Sequence, residues 1–334
     1  MKKNLFKHPL SQIVVFILAM TLLQLLSGWG VLPNSFVYAL GNTMIYAIIA
    51  VGFCLLLGYS GLASLGTAGF IGIGAYTAFY VLQQYGLPYI VAFLITLAIS
   101  IIIGVVVGFI SLRIEGIYLA ILTLGLSEII RNLLMAIKST IKIDMANVKL
   151  FGVQMTDQMG FFLILGTFAI LLWLTSNLIN SPTGRAMLAM KNSTSAAQAM
   201  GISLMKFRLL AFVIATVFAA IGGLLYMVFV KSMTTATSTL LTLTTSLNIL
   251  GAVIIGGAKS LWGTSFGVFI IYGIQSMFLS KIAFFNKNPA FITMITGLLI
   301  ILVVMFFPGG FAQIATQVKL WLKKKFTARK KEVA

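Results

Sequence analysis

The sequence predicts an all-α polytopic membrane protein of about ten transmembrane helices, some broken or re-entrant, in a single domain over residues 1–334. Three observations lead there. Of the 334 residues 60% are hydrophobic and only 8% charged, with a mean hydropathy of +1.10, whereas a soluble domain carries about 25% charged residues. Apolar runs recur at the length of roughly 20 residues needed to cross about 30 Å of hydrocarbon. The runs do not alternate, which favours helices over barrel strands of about ten residues, and a helix in lipid satisfies its own backbone.

Taken in order, the apolar passes are Ile13–Leu32, Ser35–Tyr59, Thr67–Leu82, Pro88–Leu112, Gly116–Ile137, Gly160–Asn180, Phe207–Val230, Leu240–Gly256, Gly263–Ser280 and Pro289–Phe307. The first follows Lys2, Lys3 and Lys7, as in a signal peptide. No small-x-small cleavage site comes after it and further spans follow directly, so it reads as a retained helix. The third and eighth are short and flanked by glycine. Between the sixth and seventh lies a polar, cation-bearing segment, 181–208, and after the tenth a basic tail, 308–334.

An even number of passes puts both termini on one side, and the cations choose the side. With the termini inside, sixteen cations are cytoplasmic, namely Lys2, Lys3, Lys7, Arg113, Arg185, Lys191, Lys206, Arg208, Lys259 and seven in the tail from Lys319 to Lys331. Six are outside: Lys138, Lys142, Lys149, Lys231, Lys281 and Lys287. The excess of inner lysine and arginine predicts cytoplasmic termini, with the tail drawn to anionic lipid.

Several functions are excluded or disfavoured. The net charge of +18 lies beside spans and without a recognition motif, so no nucleic-acid partner is expected. The one cysteine, Cys54, allows no intrachain disulfide and reads as core packing. A lone His8 offers no histidine cluster for a metal. No G-x-x-x-x-G-K-[ST] loop is present, and five scattered acidic residues form no catalytic set.

Four elements are candidates for function. The glycine-dense stretch from Gly58 to Gly74 reads first as tight packing, with Ala68, Gly72 and Ala75 on one face, as does the GxxxG of Gly263 and Gly267. Its sharper reading makes Tyr59 to Ser64 an unwound segment lining a path, with Tyr59, Ser60, Ser64 and Thr67 facing it. Second, Glu128 and Arg131 lie inside the fifth pass, where a charge costs about 2.5–3.5 kcal/mol. Their spacing pairs them on one face, and Thr123, Ser127 and Arg131 form a stripe that is either structural or borders a path. Third, Thr244, Thr245 and Asn248 make the eighth pass polar, and Asn248 needs a partner. Fourth, Gly184 and Gly201 bracket a helix-compatible segment with a break at Asn192–Ser195. Its Met187, Met190, Ala197 and Met200 are apolar knobs suited to a partner's groove, with Arg185 beside them. Finally, Ser64-Leu-Gly-Thr-Ala-Gly-Phe70 echoes Ser260-Leu-Trp-Gly-Thr-Ser-Phe266, as repeated halves with broken helices would.

The stretches Gly58–Thr77, Gly116–Arg131, Gly184–Gly201 and Gly256-Gly-Ala-Lys-Ser-Leu-Trp-Gly263 occur in an order that resembles the membrane subunit of the branched-chain amino-acid type of ABC importer. The resemblance covers nearly the whole chain. It implies an ABC importer permease fold in the bacterial plasma membrane, and a path for a small polar solute, first of all branched-chain amino acids. It also implies a second permease subunit, identical or different, two cytoplasmic ATPase subunits and an extracytoplasmic binding protein. ATP and Mg would then be bound by the ATPase subunits and no cofactor by this chain. The Gly184–Gly201 loop would be the coupling element. Three features depart from the pattern: the loop from Lys191 to Gln198 has no acidic residue, Asn248 stands where relatives often carry an acid, and the outer loop Lys138–Asn147 lacks the Thr-Gly-Gly that relatives often have, which bears on the substrate. The alternatives are a self-sufficient secondary transporter or channel, an ABC permease for nucleosides, urea or amides, and a membrane scaffold without a path.

Overall fold

Small residues decide which helices meet at the centre. In the computed structural model, which describes residues 9–28, 33–111, 113, 114, 116–144, 148–150, 153–235, 238–278, 282, 289–306, 309–311 and 313, the middle is built on two long helices. The first is α2, Asn34–Cys54, which continues as a wider π turn over Leu55–Ser60; the second is α9, Leu204–Val230. Gly222 of α9 packs on Ile49, and Gly52 of α2 packs on Phe218. Against α9 lies α3, Thr67–Phe79, which also ends in a π turn, Tyr80–Gln84. Here backbones touch: a methyl on Gly74 would run into the Ala220 carbonyl, and one on Gly223 into the Ile71 carbonyl. Without a hydrophobic force between helices in lipid, such close approach is what holds them together.

Around this centre stand α1 (Pro9–Gly28), α4 (Tyr89–Ser111), α5 (Ile117–Ile137) and α6 (Asp157–Asn180). Two short helices follow, α7 (Pro182–Asn192) and α8 (Thr194–Ala199). After α9 come α10 (Leu243–Gly256), α11 (Leu261–Val268) with a π turn over Phe269–Gly273, α12 (Ile274–Met277) and α13 (Pro289–Phe306). Each of the ten expected passes therefore has its helix among the described residues. Six are long and apolar enough to cross a membrane: α1, α2 with its π turn, α4, α5, α6 and α9. The other four are shorter or interrupted, as expected for the third and eighth. Boundaries move by up to about four residues, most in α1. The outer faces of α1, α5 and α13 present Leu18, Leu22, Ile121, Ile129, Met294 and Ile301. Such a girdle suits lipid and would be an aggregation patch in water.

The all-α expectation holds with one addition. Two short ribbons sit at the end where α5 and α9 finish and α6 starts. Antiparallel strands β1 (Thr140–Lys142) and β4 (Ser232–Thr234) join the α5–α6 connection to the end of α9, while β2 (Lys149–Leu150) and β3 (Val153–Gln154) form a hairpin. Ile141 and Met233 are buried beneath the first ribbon. The Tyr76 hydroxyl bonds the Lys138 carbonyl and the Thr235 hydroxyl, fixing α3 to it. His8, the lysines near the N-terminus, Lys281, Lys287 and the seven tail cations lie outside the described residues.

The glycine contacts are testable by substitution. Gly74→Val and Gly223→Val should each cost about 1–3 kcal/mol by overpacking, seen as a lower unfolding midpoint in detergent. Gly166→Ala, where an added methyl meets nothing within 4 Å, should stay within about 0.5 kcal/mol.

Candidate functional site

Between Ser60 and Thr67 the chain leaves helix and re-enters it, so backbone groups on both sides lose their intrahelical partners. Helical geometry reaches Ser60, two residues into the Tyr59–Ser64 stretch that the sequence reading left unwound, and the unwound stretch is 61–66. The turn starts at Gly61, whose φ of 74° suits glycine, and the N–H groups of Gly61 and Leu62 both return to the Leu56 carbonyl.

The carbonyls left over are taken from outside. Lys191, in the last turn of α7, donates its Nζ to the carbonyls of Leu57 (3.0 Å) and Gly58 (2.8 Å). Its aliphatic stem lies against Gly61, with Cγ 3.2 Å from where a Cβ would stand. A cation at the carbonyl end of a helix is stabilised there. Burial, with the neighbouring Lys259 cation, pulls the Lys191 ammonium below the ordinary lysine range, while Cys54 acts the other way.

On the far side of the break, hydroxyls supply the acceptors. Thr123 accepts from the Leu65 N–H (3.0 Å) and Ser127 from the Gly69 N–H (2.8 Å), both from α5. Ser246 of α10 accepts from the Ala68 N–H (3.1 Å). Ser64 accepts from the Gly66 N–H, 3.3 Å. Ser60 turns its hydroxyl back to the Leu56 carbonyl. Ser64 and Thr67 line a narrow seam between α2, α3 and α9 with a volume of about 10 Å³, closed by Phe53, Phe70 and Phe212.

The second break, between α10 and α11, adjoins the first. The Cys54 thiol donates to the Ala258 carbonyl (3.1 Å) and the Tyr59 hydroxyl to the Lys259 carbonyl (3.0 Å). Gly58 leaves no room for a side chain beside the Ala258 carbonyl. Ser260 caps α11 through the Gly263 N–H (3.1 Å). The echoing stretches at Ser64 and Ser260 thus share one local construction, a helix that starts after a break and runs into a π turn, with a serine cap on α11 alone.

The segment at 181–208 forms two capped helices, broken at Ser193. Ser181 caps α7, with Pro182 at its first position, and Ser193 caps α8. Gly201, at φ 78°, ends α8, and the Ile202 N–H returns to the Ala197 carbonyl. One expectation needs correction. Met187, Met190 and Ala197 are buried within the chain and are not offered to a partner, because the apolar face of α7 packs back against α6, α9 and the π turn of α2. Gly184 is also inward, where a side chain would meet the carbonyls of Leu178 and Ile179. Arg185 and Gly201 are exposed, and Met200 is 82% exposed. Nearly all of α8 faces outward, Ala197 excepted.

In α10, Thr245 is buried, Thr244 exposed and Asn248 half-buried. The Tyr272 hydroxyl lies within hydrogen-bonding reach of Asn248 and of the Thr245 backbone, supplying the partner Asn248 needed. Arg131 and Glu128 pair at 3.1 Å, their side chains 23% and 39% exposed on the open flank of α5. Ser246 was missed as a site residue, because its partner lies 178 positions away and only the polar run around it hints at a role.

The long apolar helices, the breaks between them and the apolar girdle define a multi-pass helical membrane protein. The chain belongs to the family described as branched-chain amino acid transport system / permease component, whose model matches residues 35–304. It is 28% identical over 312 residues to the high-affinity branched-chain amino acid transport system permease protein LivM of Salmonella typhimurium, covering 83% of this chain and 70% of that one. LivM of Escherichia coli is 30% identical over 216 residues, 55% of this chain and 50% of its own length. No solved structure matches the chain.

Two substitutions probe the break. Ser246→Ala strands the Ala68 N–H and should cost about 1–3 kcal/mol, while exposed Thr244→Ala should cost within about 0.5 kcal/mol; unfolding in detergent distinguishes them. Lys191→Met should speed amide hydrogen exchange across residues 55–66 by about tenfold, leaving α4 unchanged.

Proposed function

We propose that the chain is a permease subunit of an ATP-binding cassette importer and forms part of the path for a small polar solute, branched-chain amino acids first. One observation carries the reading beyond family membership. Lys191, in the last turn of α7 and next to the outward α8, holds the carbonyls at the end of a broken helix. An ATPase bound at α8 would therefore act on the break through Lys191.

In this mechanism two cytoplasmic ATPase subunits bind ATP and Mg, and their closure displaces α7 and α8. The displacement is transmitted to the π turn of α2 and, through Cys54 and Tyr59, to the α10–α11 turn. The seam at Ser64 and Thr67 then opens toward one side. On this reading Arg185, Met200, Gly201 and the outward face of α8 meet the ATPase. The inner roles of Gly184, Met187, Met190 and Ala197 are to pack and aim α7 and α8. Tyr59, Ser60, Ser64, Thr67, Thr123, Ser127, Thr245 and Asn248 stay near the path as its scaffold.

The flank of α5 supports a second permease subunit. In lipid a charge costs about 2.5–3.5 kcal/mol, so a half-exposed Glu128–Arg131 pair favours protein or water on that side. The same pair weakens the reading of a self-sufficient secondary transporter, since Glu128 is already engaged with Arg131. An extracytoplasmic binding protein would deliver solute at the end bearing the ribbons, with both termini cytoplasmic as the cation distribution indicates.

The expected result is that Met200→Glu together with Ala196→Glu releases a co-expressed ATPase in pull-down and lowers ATP-driven leucine uptake in proteoliposomes by tenfold or more, on the order of one hot-spot contact. The unfolding midpoint should not move. Uphill uptake by the chain alone, driven by an ion gradient, would count against the proposal.

A further inference from the structure

Midway through the bundle, α1, α2, α6 and α11 leave a cavity of about 280 Å³ between them. Its wall is apolar and aromatic: Phe16 and Met20 of α1, Met44 of α2, Phe168 of α6, and Trp262 and Phe269 of α11 and its π turn. Phe16 spans the gap, its ring 5.6 Å from that of Phe168 and 5.5 Å from that of Trp262. Two hydroxyls lie in the wall, and both are engaged within their own helices. Thr43 donates to the Ala39 carbonyl (2.7 Å) and Ser265 to the Leu261 carbonyl (3.1 Å). Phe16, Met44 and Phe168 stand near the midpoints of their helices, which puts the cavity at the depth of hydrocarbon. Phe266 also lines it and is 52% exposed, which leaves the cavity open on the α11 side.

Size and chemistry narrow what fills it. Water is a poor occupant, because a buried water needs several polar partners and an apolar cavity stays dry. A polar solute finds both hydroxyls already spent. A helix of another subunit is too thick: at about 10 Å across it occupies roughly 400 Å³ per turn, more than the whole cavity. A hydrocarbon chain asks for no hydrogen bond, is thinner than a helix, and is the solvent at that depth. We propose that this cavity holds one acyl chain of a membrane phospholipid, which enters beside Phe266 and lies between α1 and α11. The chain gives the lining the dispersion contacts that a void denies it. It also braces α11, the helix that follows the second break, from the membrane side. The site is separate from the seam at Ser64 and Thr67 and does not rest on a role in import.

Native mass spectrometry of the full chain, released from nanodiscs of phosphatidylethanolamine and phosphatidylglycerol, reads the phospholipid that stays bound. Ala47→Leu fills the cavity from α2 and Ser265→Leu from α11, since both residues line it. Leu18→Ala, on the outer face of α1 and away from the cavity, is the control. The wild type and Leu18→Ala should keep one phospholipid. Each filled variant should keep about tenfold less, the worth of roughly two buried methylenes, at unchanged melting temperature. A second measurement uses Trp262 as a probe in the wall, with Trp29, Trp173 and Trp321 replaced by Phe. Phospholipid brominated in mid-chain should quench its fluorescence, and the quenching should fall when Ala47→Leu is added. Where a filled variant lowers the melting temperature, the quenching of Trp262 without that substitution decides alone. Equal retention by the wild type and both filled variants, which marks the lipid as a surrounding one, overturns the proposal. So does a Trp262 that the brominated chain leaves unquenched.

Discussion

Everything at the centre of this protein follows from one constraint. A helix that stops inside an apolar bundle leaves donors and acceptors that water does not reach, each costing several kcal/mol if unpaired in hydrocarbon. The break after α2 meets that constraint with side chains borrowed from three other elements. Lys191 of α7 covers the carbonyls, Thr123 and Ser127 of α5 cover two N–H groups, and Ser246 of α10 covers a third. A break that depends on distant partners is also a joint between them. Its polar groups stay satisfied only while those partners keep their places.

Such a joint is suited to having two discrete arrangements, since packed interfaces are bistable and do not deform continuously. On the proposed reading, the free end of the lever is α8 and its short arm is the lysine. Charge suits the task better than apolar contact would. An ammonium carries three donors on a flexible stem and can follow carbonyls that shift slightly. Gly61 provides the space along which that stem lies.

Much of the fold was legible because it depends on length and composition. Apolar runs fix where helices form, and Gly61, Ser181, Ser193 and Gly201 mark their ends by local chemistry. What was not legible depends on contacts far apart in sequence. Methionine at 187 and 190 reads as a knob for a partner, but spacing alone does not say whether an apolar face turns to another protein or back onto its own bundle. Burial in the structure decides for the second. Strands of two or three residues, as in β1 and β4, are too short to show a period of two. Ser246 looks no different in sequence from Thr244, yet one caps a helix and the other is exposed.

The likeness between the stretches at Ser64 and Ser260 gains a physical meaning from their contact. Each break leaves carbonyls in need of donors, and α2 supplies those for the second through Cys54 and Tyr59. Glycine at 58 lets the two turns approach until its backbone touches the Ala258 carbonyl. After α13 the chain returns to the same place, where Gly310 at φ 67° leaves no room for a side chain against Gly257. A shift of one break against the other therefore breaks the bonds from Cys54 and Tyr59 to the Ala258 and Lys259 carbonyls. On the proposed reading, a force applied through Lys191 reaches the end of α2, and the shared carbonyls carry it into α10 and α11. Two broken helices joined in this way are, on that reading, moved together by a pull on either.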